Sequence, residues 1–213
     1  MPRSASETLC KNLSQGIHAA AQPLAILRAS LGNSYMDRMS AEELRELAAS
    51  SALEVERVCT LFSCLQQLVS VESIKPQLSE EAIPPLLAYV ADGVKLLFDE
   101  DGMMLDSMVS ESCKPALINR ARTLQALSST LLVAHAVSRP RETVELIASP
   151  SSDNTVQIVV RNTHSYVDAM NAEQSLSMSL AEANMRSQQA SFSWSLRPFN
   201  VQIELQRAPL ANS

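Results

Sequence analysis

Residues 7–31 read ETLCKNLSQGIHAAAQPLAILRASL, and the spacing of the apolar residues here decides the first half of the fold. Leu13, Ile17, Ala20, Leu24, Leu27 and Leu31 recur at intervals of four, three, four, three and four, the period of a coiled-coil-like helical seam. Gly32 and Asn33 stop the helix. After a short loop, Ser40 and Glu43 form an S-x-x-E capping box that opens a second helix, running to about Val71. Its seam is Leu44, Leu47, Val55, Val58, Phe62, Leu65 and Val69, with Ser51 standing where an apolar residue is expected. The pair predicts an antiparallel hairpin. Each helix buries only one stripe, so the hairpin in turn predicts a homodimer that closes a four-helix bundle.

Pro76, Pro84 and Pro85 interrupt the helical pattern, so residues 73–84 read as a linker between a hairpin over 1–72 and a second domain over 85–213. In the second domain the periodicity predicts a helix at 85–98, a strand near 103–110 and a long helix at 115–138. Strands near 142–149 and 155–161, a helix near 169–189 and a terminal hairpin at 191–206 follow. Helices interleaved with mostly hairpin-connected strands predict an α/β sandwich, one sheet covered on one face by helices, and the whole chain is α+β.

Composition narrows the function. The chain has 213 residues, 46% of them hydrophobic and 19% charged, enough to bury two small cores. Its longest apolar runs, such as Leu131 to Val137, fall far short of the roughly 18–20 residues that span a bilayer. The polar N-terminus has no secretory signal, and the expected location is the cytoplasm. A net charge of −6, without a Lys/Arg cluster, disfavours a phosphate backbone as partner, so neither nucleic acid nor membrane is expected. The four cysteines, Cys10, Cys59, Cys64 and Cys113, have no metal-ligand spacing and read as buried free thiols. Only four glycines are present, and phosphate-cradling loops need glycine where backbone approaches a ligand closely.

His18 lies about 100° round the helix from Ile17, on the flank of the seam, where an imidazole reaches solvent. Pro23 follows five residues later, although proline inside a helix costs about 3 kcal/mol, and it implies a local kink. The stretch His18-Ala19-Ala20-Ala21-Gln22-Pro23-Leu24 resembles the phospho-acceptor box of bacterial sensor histidine kinases, in which the histidine is followed at five and six by Pro-Leu. The likeness extends over nearly the whole chain, because the second domain is similar to that family's ATP-binding domain in the order and spacing of its elements. Its nucleotide motifs depart from the pattern. His135 stands where the family's Asn-box helix carries a magnesium-binding Asn. Asn162, His164 and Tyr166 stand at the Asp and two Gly positions of an Asp-x-Gly-x-Gly loop. Ser175 and Ser177 replace glycines of the second glycine box. Ala19 stands where the family usually has Glu or Asp to accept the imidazole proton.

The resemblance therefore implies no ATP or magnesium cofactor and no ATP-driven autophosphorylation. It points to the relatives that relay phosphoryl groups between response regulators, with His18 as phospho-acceptor, Gln22 as a contact to water or the regulator, and Pro23 as the helix kink. The regulator's receiver domain brings its own metal ion, so the phosphotransferase needs none. A neutral imidazole is the required nucleophile. A rival reading is a non-catalytic dimeric scaffold that binds and modulates a regulator or a kinase, favoured by Ala19; a third is a small-molecule module in the old cleft. With no sensor or receiver domain in these 213 residues, a stand-alone relay component is expected. His135 and His164 have no ligand partners in sequence, Arg120 with Arg122 reads as a solvated face, and the methionines around 170–185 read as packing.

Overall fold

A computed structural model describes residues 5–32, 39–152, 154–164 and 169–208, so Asn33 and Tyr166 lie outside the described residues. The chain divides into two compact units, Met1–Ser70 and Val71–Ser213.

The first unit is built on α1 (Ala5–Leu31) and most of α2 (Ala41–Ser73). The capping box forms as expected: Ser40 N–H donates to Glu43 Oε2 (2.7 Å) and Glu43 N–H donates to Ser40 Oγ (3.3 Å). The predicted seam, however, divides. Ala20 and Leu65 are buried and Leu13, Leu27, Leu47 and Val58 half-buried, but Ile17, Leu24, Leu31, Leu44, Val55, Phe62 and Val69 are exposed. On α1 the buried face runs instead through Gly16, Ala20 and Pro23, four and three residues apart. These small residues let α1 approach α2 closely, and a Cβ at Gly16 would lie only 2.4 Å from Leu65 Cδ2. Ser51, the break in the second seam, is half-buried with its hydroxyl unpartnered.

The second unit contains β1 (Ser79–Glu81), α3 (Ile83–Glu100), β2 (Met104–Val109), β3 (Ala116–Ile118) and α4 (Arg120–Val137). It continues with β4 (Thr143–Ser152), β5 (Thr155–Asn162), α5 (Ala172–Arg186), β6 (Ser191–Leu196) and β7 (Phe199–Gln206). Five strands form one sheet in the order β2-β4-β5-β7-β6, with β2 parallel to β4 and the other pairs antiparallel. Alternation sorts its two faces. Val144, Leu146, Ala148, Val156, Ile158, Val160, Val201 and Ile203 are buried, and join Phe98, Leu127, Leu131, Met178 and Met185 from the helices in one core. Glu145 and Arg161, from the alternate positions, pair on the outer face. The sandwich is the one the sequence predicts, and Met178 and Met185 are packing residues.

Four expectations need correction. The 73–84 stretch is not a plain linker, since β1 pairs antiparallel with β3, and α3 already begins at Ile83. Pro84 and Pro85 sit in the first turn of α3, where a missing N–H is harmless, so Pro84 belongs to the helix and not to the stretch before it. The helix predicted over 115–138 starts at Arg120, because Asn119 caps it by accepting from Arg122 N–H (3.1 Å) and leaves 116–118 extended as β3. Arg122 is no solvated face. Its guanidinium donates to the carbonyls of Val71 (3.4 Å) and Ile74 (2.6 Å), and burial pulls its pKa below the usual value. Helix α2 has no basic residue in its own last turn, so Arg122 supplies the cation that its carbonyl end favours. Arg186 pairs with Glu72, and Asn119 Nδ2 donates to the Gln77 carbonyl (2.9 Å), so the segment that opens the second unit is tied to the rest of it at several points. The cysteines also differ from expectation: none forms a disulfide, but Cys10 and Cys59 are exposed, and Cys64 and Cys113 are half-buried.

Two helices close in the same way. At the end of α3, Met103 N–H reaches back to the Phe98 carbonyl (2.9 Å) across Gly102, whose φ is 67°. At the end of α5, Ala190 N–H reaches the Met185 carbonyl (3.1 Å) across Gln189, held at φ 63°. Among the described residues no helix is long and apolar enough to cross a membrane.

Candidate functional site

His18 is exposed in the middle of α1, and its rotation follows from the packed face. At about 100° per residue it lies roughly 140–160° round the helix from Gly16, Ala20 and Pro23, which are buried. Its neighbours on the outer face are Ser14, Gln15, Ala21, Gln22 and Ala25, all exposed, with Gln15 and Gln22 the larger ones. Gln22, one turn on, shares the imidazole's side, whereas Pro23 points inward. Helix α1 continues through Pro23 to Leu31; proline removes one main-chain donor, and its ring fills the close-packed face. Ala19 is half-buried, and Glu7 is the only acidic residue in α1. No residue of α1 within two turns of His18 carries a carboxylate. The arrangement suits a nucleophile that attacks an anionic centre and lacks a built-in base.

In the second unit, the residues at the resembled nucleotide positions are engaged by the protein itself. Asn162 is fully buried at the end of β5. Its Nδ2 donates to Ser138 Oγ and Glu142 Oε2, both at 2.7 Å, and its Oδ1 accepts from His164 N–H at 2.9 Å. Glu142 Oε2 also accepts from Arg139 N–H (3.0 Å), and Ser138 Oγ donates to the Ala134 carbonyl (2.6 Å). Both amide donors and the oxygen of Asn162 thus have partners, and a purine edge would have to displace them. His135 does not join this group. Its ring packs edge-on against Phe98, with centroids 5.0 Å apart, and its Nε2 lies 3.0 Å from Asp101 Oδ2 without hydrogen-bond alignment. His164 is exposed.

Ser175 and Ser177 lie within the body of α5, not in a loop. The helix begins at Ala172 behind a complete capping box, in which Asn171 and Gln174 each accept from the other's main-chain N–H (2.8 and 2.9 Å). Without glycines, and with that cap, the segment is ordinary helix. The N-x-x-Q pattern at 171–174 was a legible signal of this start. The partners Ser138 and Glu142 had no local signal, because they come to Asn162 from 24 and 20 residues away.

No protein-family model and no curated protein matches the sequence. Solved structures do match the fold. The Acinetobacter baumannii histidine kinase AdeS aligns with a TM-score of 0.72 at 14% identity, over 90% of this chain and 98% of that one. The histidine kinase ThkA, in complex with the response regulator protein TrrA, aligns with a TM-score of 0.75 at 11% identity, over 97% of this chain and 65% of that one. Full-length ShkA in complex with AMPPNP aligns with a TM-score of 0.64 at 16% identity, over 95% of this chain and 46% of that one. At such identities the likeness is one of fold: a helical hairpin followed by an ATPase-like sandwich, as in histidine kinases.

Proposed function

We propose that this protein is a histidine phosphotransferase that relays phosphoryl groups between response regulators in two-component signalling, without ATP-dependent autokinase activity. The observation that carries the reading is His18, exposed on the outer face of α1 while Gly16, Ala20 and Pro23 hold the inner face. His18 is the phospho-acceptor, Gln22 contacts the regulator or an attacking water, and the regulator supplies the metal ion. Neither ATP nor magnesium is a cofactor of this chain; the engaged amide of Asn162 and the helical course of Ser175 and Ser177 support that part. A receiver domain as partner draws support from ThkA, which was solved with its response regulator. The protein acts as a homodimer in the cytoplasm. Support for the dimer comes from exposed apolar residues seven apart on both helices, Ile17, Leu24 and Leu31 on α1 and Val55, Phe62 and Val69 on α2.

The test is to incubate the purified protein and its His18→Ala variant with radiolabelled phospho-regulators encoded in the same genome. Acid-labile, base-stable label on the wild type alone is the expected result; no label from any regulator would sink the phosphotransfer reading. That outcome would favour the non-catalytic scaffold, to which Ala19 lends weight because no carboxylate stands beside His18 to take its proton. The scaffold predicts that His18→Ala still binds its partner and still functions in the cell.

A further inference from the structure

A side chain at Gly16 can be seated only if Leu65 or α1 itself moves. A Cβ there would lie 2.4 Å from Leu65 Cδ2, 3.0 Å from Cγ and 3.1 Å from Cδ1, well inside the roughly 3.5–4.0 Å of an ordinary carbon contact. The main chain of α1 therefore rests directly on a side chain of α2. The pattern extends along the interface, with Ala20 and Pro23 buried on α1 and Leu61, Leu65 and Leu68 buried on α2. The contact of Gly16 with Leu65 ties the position of α1 to that side chain, because close-packed interiors do not deform continuously. His18 stands two residues from Gly16 on the far side of the helix. Any displacement of α1 carries the imidazole with it.

We propose that Gly16 is a positioning residue for His18: by letting α1 close onto Leu65, it sets the depth and direction at which the imidazole meets the aspartyl phosphate of a receiver domain. The proposal rests on the phosphotransfer reading above. In that reaction a lone pair of an imidazole nitrogen forms the N–P bond as the P–O bond to the aspartyl carboxylate breaks. The electron pair returns to the carboxylate, and the proton of the phosphorylated ring is shared with water. Onward transfer reverses the step, with a second carboxylate attacking phosphorus and imidazole leaving. Attacking and leaving atoms must stand in line, and a misplacement of about 1 Å is enough to slow such a reaction about 100-fold. Gly16 touches no reacting atom; it acts through α1.

The full-length wild type is compared with Gly16→Ala, Leu65→Ala, the double variant and His18→Ala. Phosphoramidate is the first probe, since it loses ammonia as its P–N bond breaks and can load an exposed imidazole without protein docking. It loads His18 equally in all but His18→Ala. Transfer from the loaded proteins to receiver domains of the same genome is then timed. Gly16→Ala is expected to slow onward transfer about tenfold or more, and the double variant to recover the rate of Leu65→Ala, because removing the leucine side chain makes space for the added methyl. Transfer from Gly16→Ala at the wild-type rate would overturn the proposal. So would unequal loading of His18, or a double variant that stays slow while Leu65→Ala is fast. If the loaded wild type passes phosphate to no receiver, the phosphotransfer reading fails, and the positioning role fails with it.

Discussion

Asn162→Asp would restore the acid that the resembled ATP-binding family carries, and it should damage this protein without giving it a nucleotide. Asn162 donates to Glu142 Oε2 at 2.7 Å, so the substitution replaces a donor with a second carboxylate at the same place. Two unit negative charges about 3 Å apart repel by about 5–6 kcal/mol at an effective dielectric of about 20. One of them can escape by holding a proton. That route costs about 1.4 kcal/mol for each pH unit above an ordinary carboxyl pKa of about 4, hence about 4 kcal/mol at pH 7 and about 1.5 kcal/mol at pH 5. The cheaper route sets the penalty. Because the variant's carboxyl pKa is raised in the folded state, the penalty grows as pH rises above the unfolded value. The sole tryptophan, Trp194, lies in β6 of the same unit and reports its unfolding by fluorescence. With an m-value of about 2 kcal/mol/M, the urea midpoint should fall by about 2 M at pH 7 and by less than 1 M at pH 5. An unchanged midpoint at pH 7, or protection of the variant by an ATP analogue, would refute the reasoning.

Gln189→Gly should stabilise the second unit by about 0.5–1 kcal/mol, because Gln189 occupies the left-handed position that Gly102 fills at the end of α3. Gly102→Ala should destabilise by a similar amount, and equal melting temperatures for the three proteins would contradict the account. In thiol labelling, Cys10 and Cys59 should react first and Cys113 last, since burial raises the Cys113 pKa against the opposing pull of Arg207. Labelling of Cys113 at the rate of Cys59 would count against this. Hydrogen bonds from the Ser40 backbone and then its side chain lower the Glu43 pKa, so the cap's contribution is present above the unfolded value and is lost as pH falls through the lower, folded one. Amide exchange at the start of α2 should accelerate across that acidic window in the wild type but show no such step in Glu43→Gln, whose amide oxygen still accepts from the Ser40 N–H and does not titrate.

Much of this was legible because it is local. The Ser40/Glu43 box, the lengths of α1 and α2, the alternation of β4 and β5 and the closing hairpin depend on residues within a few positions of one another. His18 is exposed as expected, but it lies opposite Gly16, Ala20 and Pro23 and not on the flank of a buried Ile17. What remained hidden is non-local or made of small residues. Gly16 and Pro23 carry no hydrophobic signal, yet they form the buried face of α1, while the larger Ile17 and Leu24 remain outside. The three-residue strands β1 and β3 pair across more than 30 residues, too short to show a period. Arg122 reads as solvated by type, and only the distant carbonyls of Val71 and Ile74 give it another role.

The departures from the nucleotide motifs share a physical character. A site that had merely lost its ligand would leave buried polar groups facing an empty cleft, each costing about 1–3 kcal/mol. At Asn162 the opposite holds, since every polar atom of the side chain has a protein partner. Ser175 and Ser177 have become part of a capped helix, and the imidazole of His135 lies against an aromatic ring. At Asn162 the sandwich therefore satisfies its own polar groups, whereas His135 Nε2 stays buried without a hydrogen bond. These features argue for a unit that keeps its fold without ATP. If the proposed relay holds, the phosphoryl group comes from a partner, and the exposed His18 is the residue at which to look for it.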